Sequence, residues 1–456
     1  MRDLTTGPIH RHLVQATSFI LVTMIVQTLY ILVDLYWVGR LGTTAVAAVA
    51  ISGNLAFIVM ALSQMVAVGT TTLVSHAAGR RDRERATAVF NQSQVLSVTV
   101  GVLFLAAAMA LRERYAARLA ADDLTRQATQ DYLLWFIPAM ALQFSAVALG
   151  AALRAIGNFK PGMIVQVATV AINMVLAPVL IFGWGSGRPL GVTGAAIATL
   201  IAVAIGVAWM IALFAAPTSH LRFRPRDWAP RLADWKGLVK IGFPAGAEFA
   251  LVSVYLFIVY SVIRRFGPSA QAGFGIGLRV VQAMFLPIAA LAFAASAVAG
   301  QNYGARRAER VRGTFAAAAW MAVAGMVLLV AIAHTAPAGI VRVFSSDRAA
   351  IAVGEEYLRI ISWSFVASGL VFVSSSMFQA MGNTVPPLIT SFARIVLIAM
   401  PLHLLARSPE LELRWIWYLS AASVTLQMLV NLLLLRREFG RRLAFEPALE
   451  REPSPA

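Results

Sequence analysis

Twelve long apolar stretches are the feature that most restricts how this chain can fold. They lie at about 13–38, 45–76, 87–111, 128–154, 161–183, 191–215, 238–263, 270–300, 313–335, 353–380, 385–406 and 415–435. A helix that crosses the hydrocarbon core needs about 20 apolar residues, so each stretch is long enough for one span. The chain is also 59% hydrophobic and only 13% charged, a balance unlike that of soluble domains. We therefore predict an all-α polytopic membrane protein with twelve transmembrane helices.

Lysine and arginine are unevenly divided between the loops on the two sides of these spans. Loops on one side carry 23 of them, and loops on the other side carry 13. Because basic loops favour the cytoplasmic side, we expect both termini in the cytoplasm and the chain in the inner or plasma membrane of the cell. We assign the net charge of +17 to topology and to contact with anionic lipids rather than to nucleic acid. We expect a monomer.

A repeat with an offset of 225 residues divides the chain into two similar halves. Without a gap, this offset pairs Gly79 with Gly304 and Tyr132 with Tyr357. Each half holds six spans, an even number, so both halves enter the membrane from the same side and the repeat is parallel. We predict six-helix lobes at 13–215 and 238–435, a cytoplasmic N-terminus at 1–12, a cytoplasmic linker at 216–237 and a cytoplasmic tail at 436–456. A cleft between two such lobes suits alternating access, so transport is the leading function.

Two acidic residues fall at membrane depth, where a charge costs roughly 2.5–3.5 kcal/mol and needs a reason. Asp34 lies late in the first span, and Glu248 lies near the middle of the seventh. Glu248 has two possible basic partners in its own lobe, Arg279 and Arg394, whereas Asp34 has none. A buried carboxylate without a basic partner must stay protonated or hold a cation, since desolvation disfavours the bare anion. We therefore predict that Asp34 is the site of ion coupling and that Glu248 contacts substrate or pairs with an arginine.

Two neutral side chains lie near the depth of Asp34 in the same lobe. They are Asn173 in the fifth span and Thr199 in the sixth. Their oxygen atoms suit either Na⁺ or hydrogen bonding to a protonated acid. A purely structural role, joining helices by hydrogen bonds, remains open for both residues and also for Glu248.

Several other kinds of chemistry have little support. The chain has no cysteine, and its six histidines lack the spacing of metal ligands on a helix, so we expect no metal centre. No glycine-rich phosphate loop follows a strand, so energy must come from an ion gradient rather than from ATP. We predict no cofactor beyond the coupling ion and no catalytic residues.

Six short motifs resemble the multidrug and toxic compound extrusion (MATE) family of antiporters. They are VDLYWVGRLG at 33–42, LRAIGNFKPGMI at 153–164, GAAIAT at 194–199, IGFPAG at 241–246, AGQNYGARRAERV at 299–311 and QAMGNTVPPLI at 379–389. The likeness covers about residues 10–435 and includes the duplicated plan of twelve spans. It implies a cation-binding cluster on the first, fifth and sixth spans, with positions that match Asp34, Asn173 and Thr199.

Two departures from the family pattern bear on the coupling ion and on the second lobe. Family members often carry Asp before the proline of the fifth span, but Ala177 precedes Pro178 here. The lost carboxylate favours protons over Na⁺ as the coupling ion. Glu248 matches a seventh-span glutamate that is important in some members, yet the tenth span has acids only at its start, Glu355 and Glu356.

The sequence thus predicts a cation-coupled antiporter that exports small organic molecules, cationic or amphipathic in character. One alternative is a flippase for lipid-linked oligosaccharides, from the same broader superfamily. Such a protein would need several cationic residues in its central cavity to hold a pyrophosphate, and only Arg279 and Arg394 are candidates. A membrane-embedded enzyme is a third possibility, but it would need a cluster of His, Asp or Ser that this sequence lacks.

Overall fold

The computed structural model describes residues 3–184, 187–217, 219–405 and 411–445, and its regular elements there are helices. They are α1 (Ile9–Gly39), α2 (Thr43–Gly79), α3 (Arg83–Leu119), α4 (Asp123–Ala155), α5 (Phe159–Phe182), α6 (Gly191–Ala215), α7 (Leu232–Ile263), α8 (Pro268–Gly304), α9 (Ala308–Thr335), α10 (Pro337–Arg342), α11 (Arg348–Ile361), α12 (Phe365–Ala380), α13 (Val385–Leu405) and α14 (Leu413–Arg442). A 3₁₀ turn over Ser362–Ser364 joins α11 to α12, and these two helices form one span.

Twelve helical segments in the described residues are long and apolar enough to cross a membrane, as predicted. Several helices continue past the apolar stretches. The third runs to Leu119 and the last to Arg442, because charged residues with good helix propensity extend them beyond the hydrocarbon. At the other boundary, α7 begins at Leu232, inside the predicted linker. The tail beyond residue 445 lies outside the described residues.

Each half of the molecule contributes six spans, and several helices of the two halves begin and end at equivalent positions. Helix α8 occupies the positions of α2 shifted by 225 residues, and α11–α12 occupy those of α4. Left-handed glycines at 42 and 157 have counterparts at 267 and 382. The offset itself stays a prediction from the sequence, as does the assignment of the lobes as domains. Below, the first half means α1–α6 and the second half means α7–α14.

The first helix of each half packs against the second helix of the other half. Helix α1 contacts α8 and α9 as well as α5, and α7 contacts α2 as well as α13. The two halves are therefore interlocked along α2 and α8. The turns that follow α2 and α8 lie at one end of the bundle, together with residues 219–231 and both described termini; we call this the basic end.

The segment that connects the halves is held against the first half by two buried amides of α3. The Asn91 carboxamide donates to the Arg222 carbonyl and accepts from the indole N–H of Trp228. The Gln92 carboxamide donates to the carbonyl of Asp227 and accepts from the backbone N–H of Arg231. Six hydrogen bonds between these two neighbouring amides and residues 222–231 satisfy polar groups that would otherwise be buried alone. Residues 222–231 are thus packed against the first half.

The N-terminal residues form a short strap across the basic end. Leu4 is buried, with its backbone N–H donating to Gln301 and its carbonyl accepting from Asn302. Asp3 accepts from the Thr5 hydroxyl, and this hydrogen bond, with Arg81 nearby, holds the pKa of Asp3 below its ordinary value. The strap therefore touches both halves, through Arg81 of the first and through Gln301 and Asn302 of the second.

Candidate functional site

A group of four residues in the first half contains all three predicted coupling residues. Tyr30 and Asp34 lie one turn apart on the same face of α1, while Asn173 and Thr199 come from α5 and α6. The Tyr30 hydroxyl lies 3.1 Å from the Thr199 hydroxyl, and the Asn173 amide donates to that same hydroxyl at 3.2 Å. We call these four residues the first-half cluster.

The Thr199 hydroxyl uses its whole hydrogen-bonding capacity inside this cluster. A hydroxyl has one proton to donate and two lone pairs that accept. Thr199 donates to the Ala195 carbonyl at 3.0 Å. Its oxygen must therefore accept from both the Tyr30 hydroxyl and the Asn173 amide. With the oxygen of Thr199 occupied in this way, no lone pair is left for a metal ion in this conformation.

Asp34 is the acid of the cluster, and its carboxyl accepts no hydrogen bond from a described residue. Its Oδ1 atom is buried and unpaired among the described residues, and no charged neighbour acts on it there. Asp34 lies near the phenols of Tyr30 and of buried Tyr132 of α4. The side chain of Ala177, 1% exposed, packs in the adjoining apolar cluster and supplies no carboxylate. The site therefore offers a single titratable carboxyl in apolar and neutral polar surroundings.

Glu248 of α7 lies in a second polar network, which joins four helices of the second half. Its Oε1 accepts from the Ser391 hydroxyl of α13 at 3.2 Å and from the Ser375 hydroxyl of α12 at 3.4 Å. The Gln427 amide of α14 donates to Ser391 at 3.0 Å. Two serines, one from the tenth span and one from the eleventh, are thus the direct hydrogen-bond partners of Glu248.

Neither arginine predicted as a partner of Glu248 is hydrogen-bonded to it directly. Arg394 is a charged neighbour of Glu248, and a hydrogen-bonded path joins the two through Gln427 and Ser391, since the Nη1 of Arg394 donates to Gln427 at 3.4 Å. The Arg394 guanidinium also lies over the Tyr255 ring, 5.0 Å from its centre. Arg279 is exposed on α8. Within the described residues, neither arginine forms a direct ion pair with Glu248.

The halves meet through side chains at the basic end, in two matching contacts. Nε2 of His76 lies 2.6 Å from the Ala380 carbonyl, so this nitrogen carries a proton and donates it. The Gln301 amide donates to the Ala155 carbonyl at 2.8 Å. In the described parts of α1–α6 and α7–α14, every hydrogen bond that joins the two halves lies toward this end. The conformation is thus closed at the basic end.

A family model named MatE matches residues 20–179 and 244–405, which together are most of the chain. The chain belongs to the MatE family. Its two matched segments each carry one of the acids described above, Asp34 in the first and Glu248 in the second. MatE proteins are multidrug efflux transporters, and this chain is a multi-pass membrane transporter of that family.

Similarity to known proteins extends over most of the chain. "Probable multidrug resistance protein YoeA" of Bacillus subtilis is 25% identical over 425 residues, covering 90% of each protein. "Multidrug export protein MepA" of Staphylococcus haemolyticus is 27% identical over 365 residues, covering 79% of this chain and 78% of its own. A solved structure described as the outward-facing conformation of a multidrug resistance MATE family transporter matches with a TM-score of 0.89 at 24% identity, over 97% of this chain and 98% of that one. That structural likeness concerns the fold.

Sequence reasoning did not identify several polar residues that complete these networks. Tyr30 could have been found, because it precedes Asp34 by one helical turn on the same face. Ser375, Ser391 and Gln427 carried no such signal. Serine and glutamine are ordinary residues within a span, and which of them face each other depends on how the helices are rotated.

Proposed function

We propose that this MatE transporter is a proton-coupled antiporter, with Asp34 as the carboxyl that binds the coupling proton. The observation that carries the proposal is the buried, unpaired Oδ1 of Asp34 beside neutral partners. A carboxylate in apolar surroundings without a cation is unfavourable as an anion, and a single proton relieves it. Tyr30 and Tyr132, its electrostatic neighbours, are uncharged and so leave Asp34 free to change charge during transport.

Protons are favoured over Na⁺ because few oxygens are available for a metal ion. Hard cations bind through several oxygen ligands held at fixed distances. Thr199 is already saturated by Tyr30, Asn173 and Ala195, and Ala177 supplies no carboxylate. One carboxylate and one amide oxygen make a sparse shell for Na⁺, whereas a proton needs only Asp34.

In the proposed transport cycle, drug and proton alternate in the cleft between the two halves. If the basic end faces the cytoplasm, as the distribution of Lys and Arg predicts, the closed basic end leaves the opposite side accessible in this conformation. Drug enters from the cytoplasm when the basic end opens and Asp34 is deprotonated. A proton from outside then binds Asp34 and promotes release of the drug. Exchange of the two occupants, with one site serving both, produces antiport.

In this proposal, Glu248 contributes to the substrate path in the second half. Its carboxylate accepts from two serine hydroxyls and forms no direct ion pair with a described guanidinium, although Arg394 is near enough to act on it electrostatically. Such an arrangement favours organic cations and amphipathic molecules with a positive group. Multidrug activity in relatives such as MepA is compatible with this substrate class.

Dye transport into inside-out vesicles tests the proposal most directly. Proton and sodium gradients are imposed independently, and accumulation of a fluorescent cationic dye is followed with time. We expect transport under a proton gradient without sodium and none under a sodium gradient alone at equal pH. Transport that stops when sodium is withdrawn, despite an intact proton gradient, would overturn proton coupling while leaving the transporter assignment in place.

Flipping of lipid-linked oligosaccharide is the alternative, and it depends on cationic residues in the cleft. Pyrophosphate recognition favours several guanidinium groups acting together. Arg394 is engaged by Gln427 and Tyr255, which leaves exposed Arg279 without an evident second cation. Translocation of a fluorescent pyrophosphate lipid in liposomes, unaffected by a proton gradient, would support this alternative over antiport.

A further inference from the structure

A strongly basic cavity lies where the two halves meet at the basic end. Its volume is about 490 Å³, and it lies between the turn after α2 and the turn after α8. Four arginines line it: Arg80 and Arg81 from the first half, Arg306 and Arg307 from the second. Concentrating like charges in a concave site creates a strong positive potential that attracts anions.

Only part of this charge is balanced within the described residues. Arg81 lies 3.4 Å from Asp3, and Arg307 donates to the Thr5 carbonyl at 2.6 Å, a neutral acceptor. Arg80 and Arg306 are exposed and form no ion pair with a described residue. Three of the four guanidinium groups therefore face the cavity without a counter-charge, although they come from two halves that pack closely here.

The backbone at the cavity holds arginine where glycine is usual. Arg81 and Arg306 have φ values of 59° and 56°, in the left-handed region, and they are the non-glycine residues found there in the described chain. Each follows its helix in the Schellman pattern: the next residue's N–H bonds to the carbonyl five residues earlier, at Ala77 and Asn302. Glycine normally occupies this position because a side chain there is strained. The strain is tolerated twice, at positions 225 residues apart, and both side chains line the cavity.

The start of α9 beside this cavity lacks an acceptor that the equivalent helix possesses. Asp82 caps α3 by accepting from the backbone N–H of Arg85. Arg307 occupies the corresponding place before α9, and its side chain cannot accept a hydrogen bond. The N–H groups at a helix N-terminus favour a negative ligand. The guanidinium groups favour an anion as well.

We propose that this cavity binds a phosphate-bearing anion, and that the bound anion clamps the two halves together at the basic end. Phosphate oxygens match guanidinium groups in geometry and charge, and one phosphate can engage arginines from both halves at once. The anion binds the closed state better than the open one, because opening separates Arg80 from Arg306. Differential affinity of this kind shifts the conformational equilibrium toward closure. The phosphate group has two sources, the headgroup of an acidic lipid and a soluble phosphorylated molecule.

The test measures separation of the halves and does not depend on drug transport or on the coupling ion. Because the chain has no cysteine, Lys160→Cys and Val385→Cys place a spin-label pair at the starts of α5 and α13, one label in each half. One arm adds tripolyphosphate to protein in phosphatidylcholine nanodiscs; the other replaces part of the phosphatidylcholine with phosphatidylglycerol. We expect at least one arm to raise the ratio of closed to open populations by about fivefold or more.

Variants then assign the response to the cavity. Arg80→Gln with Arg306→Gln should abolish it, and Arg80→Lys with Arg306→Lys should retain part of it, which shows that the fold persists. Arg436→Gln with Arg437→Gln removes two exposed charges from the same end outside the cavity and should leave the response intact. A response to tripolyphosphate alone identifies a soluble ligand, and a response to phosphatidylglycerol alone identifies a lipid headgroup. No response in either arm, or an equal response in the Gln double variant, would overturn the proposal.

Discussion

Gly79 of α2 lies directly against the backbone of Gln301 in α8, so closely that a Cβ atom at Gly79 would fall 1.9 Å from the Gln301 carbonyl oxygen. The equivalent contact in the other direction places Gly304 against His76, where a Cβ would fall 2.2 Å from that carbonyl. Both distances are far inside van der Waals contact. Closure of the basic end therefore requires glycine at both positions, because the backbone of each half occupies the space of the other's missing side chain.

Replacing Gly79 with alanine should favour the state that is open at the basic end. Overpacking of this kind costs about 1–3 kcal/mol, which changes the ratio of closed to open populations by about 5- to 150-fold. Spin labels at positions 160 and 385 measure that ratio. Gly53→Ala is the matched control, since Gly53 lies in the same helix with open space around its Cβ position. Equal distance distributions for the two variants would contradict this role of Gly79.

Asp34→Asn should eliminate proton-coupled exchange while leaving expression and monodispersity unchanged. The amide resembles the protonated carboxyl in size but cannot lose a proton, so the proposed switch between occupants is blocked. Proton-driven dye accumulation in vesicles is the measurement, and Asp131→Asn, at an exposed carboxyl on α4, is the control. The assignment of Asp34 fails if its Asn variant still transports dye at the rate of the unmodified protein.

Ala177→Asp should introduce sodium dependence. A carboxylate at this buried position is costly when unpaired, and a bound Na⁺ shared with Asp34 would compensate for it. Sodium at 100 times its Kd would then stabilise the variant by about 2.7 kcal/mol, seen as a higher Tm in sodium chloride than in choline chloride. Ala177→Asn controls for size without the charge. A Tm that is the same in both salts for the Asp variant would argue against a latent cation site.

Glu248→Gln should impair export of cationic dyes more than export of neutral ones. The amide keeps an oxygen that accepts from Ser375 and Ser391, so the helix contacts survive while the negative charge is lost. Removing one charge-assisted contact should lower transport of a cationic dye by about tenfold, equivalent to about 1.4 kcal/mol. Ser375→Ala, which removes only one donor, is the comparison. An equal loss for both dye classes, with a lower Tm, would indicate a structural role.

The sequence was sufficient to predict the twelve spans, because hydropathy over about 20 residues has a direct physical cause in the bilayer. The spatial proximity of Asn173 and Thr199 also followed, through their depth and the family resemblance. The environment of Glu248 did not. Charge alone suggested Arg394, which is indeed a charged neighbour, yet the hydrogen-bonded path from Glu248 to Arg394 passes through Ser391 and Gln427. Such intermediates are decided by helix rotation and packing, which a single sequence does not encode in a readable pattern.

The carbonyls that receive the His76 and Gln301 side chains belong to the main chain, at Ala380 and Ala155. Any residue small enough to fit there supplies the same oxygen, so a point mutation at either acceptor leaves the bond in place. Sequence change along this contact is therefore restrained at the donors and at the glycines, but not at the acceptors. The interiors of the two halves can therefore differ, with Asp34 alone in one and Glu248 bonded to serines in the other. The surface along which the halves close need not change.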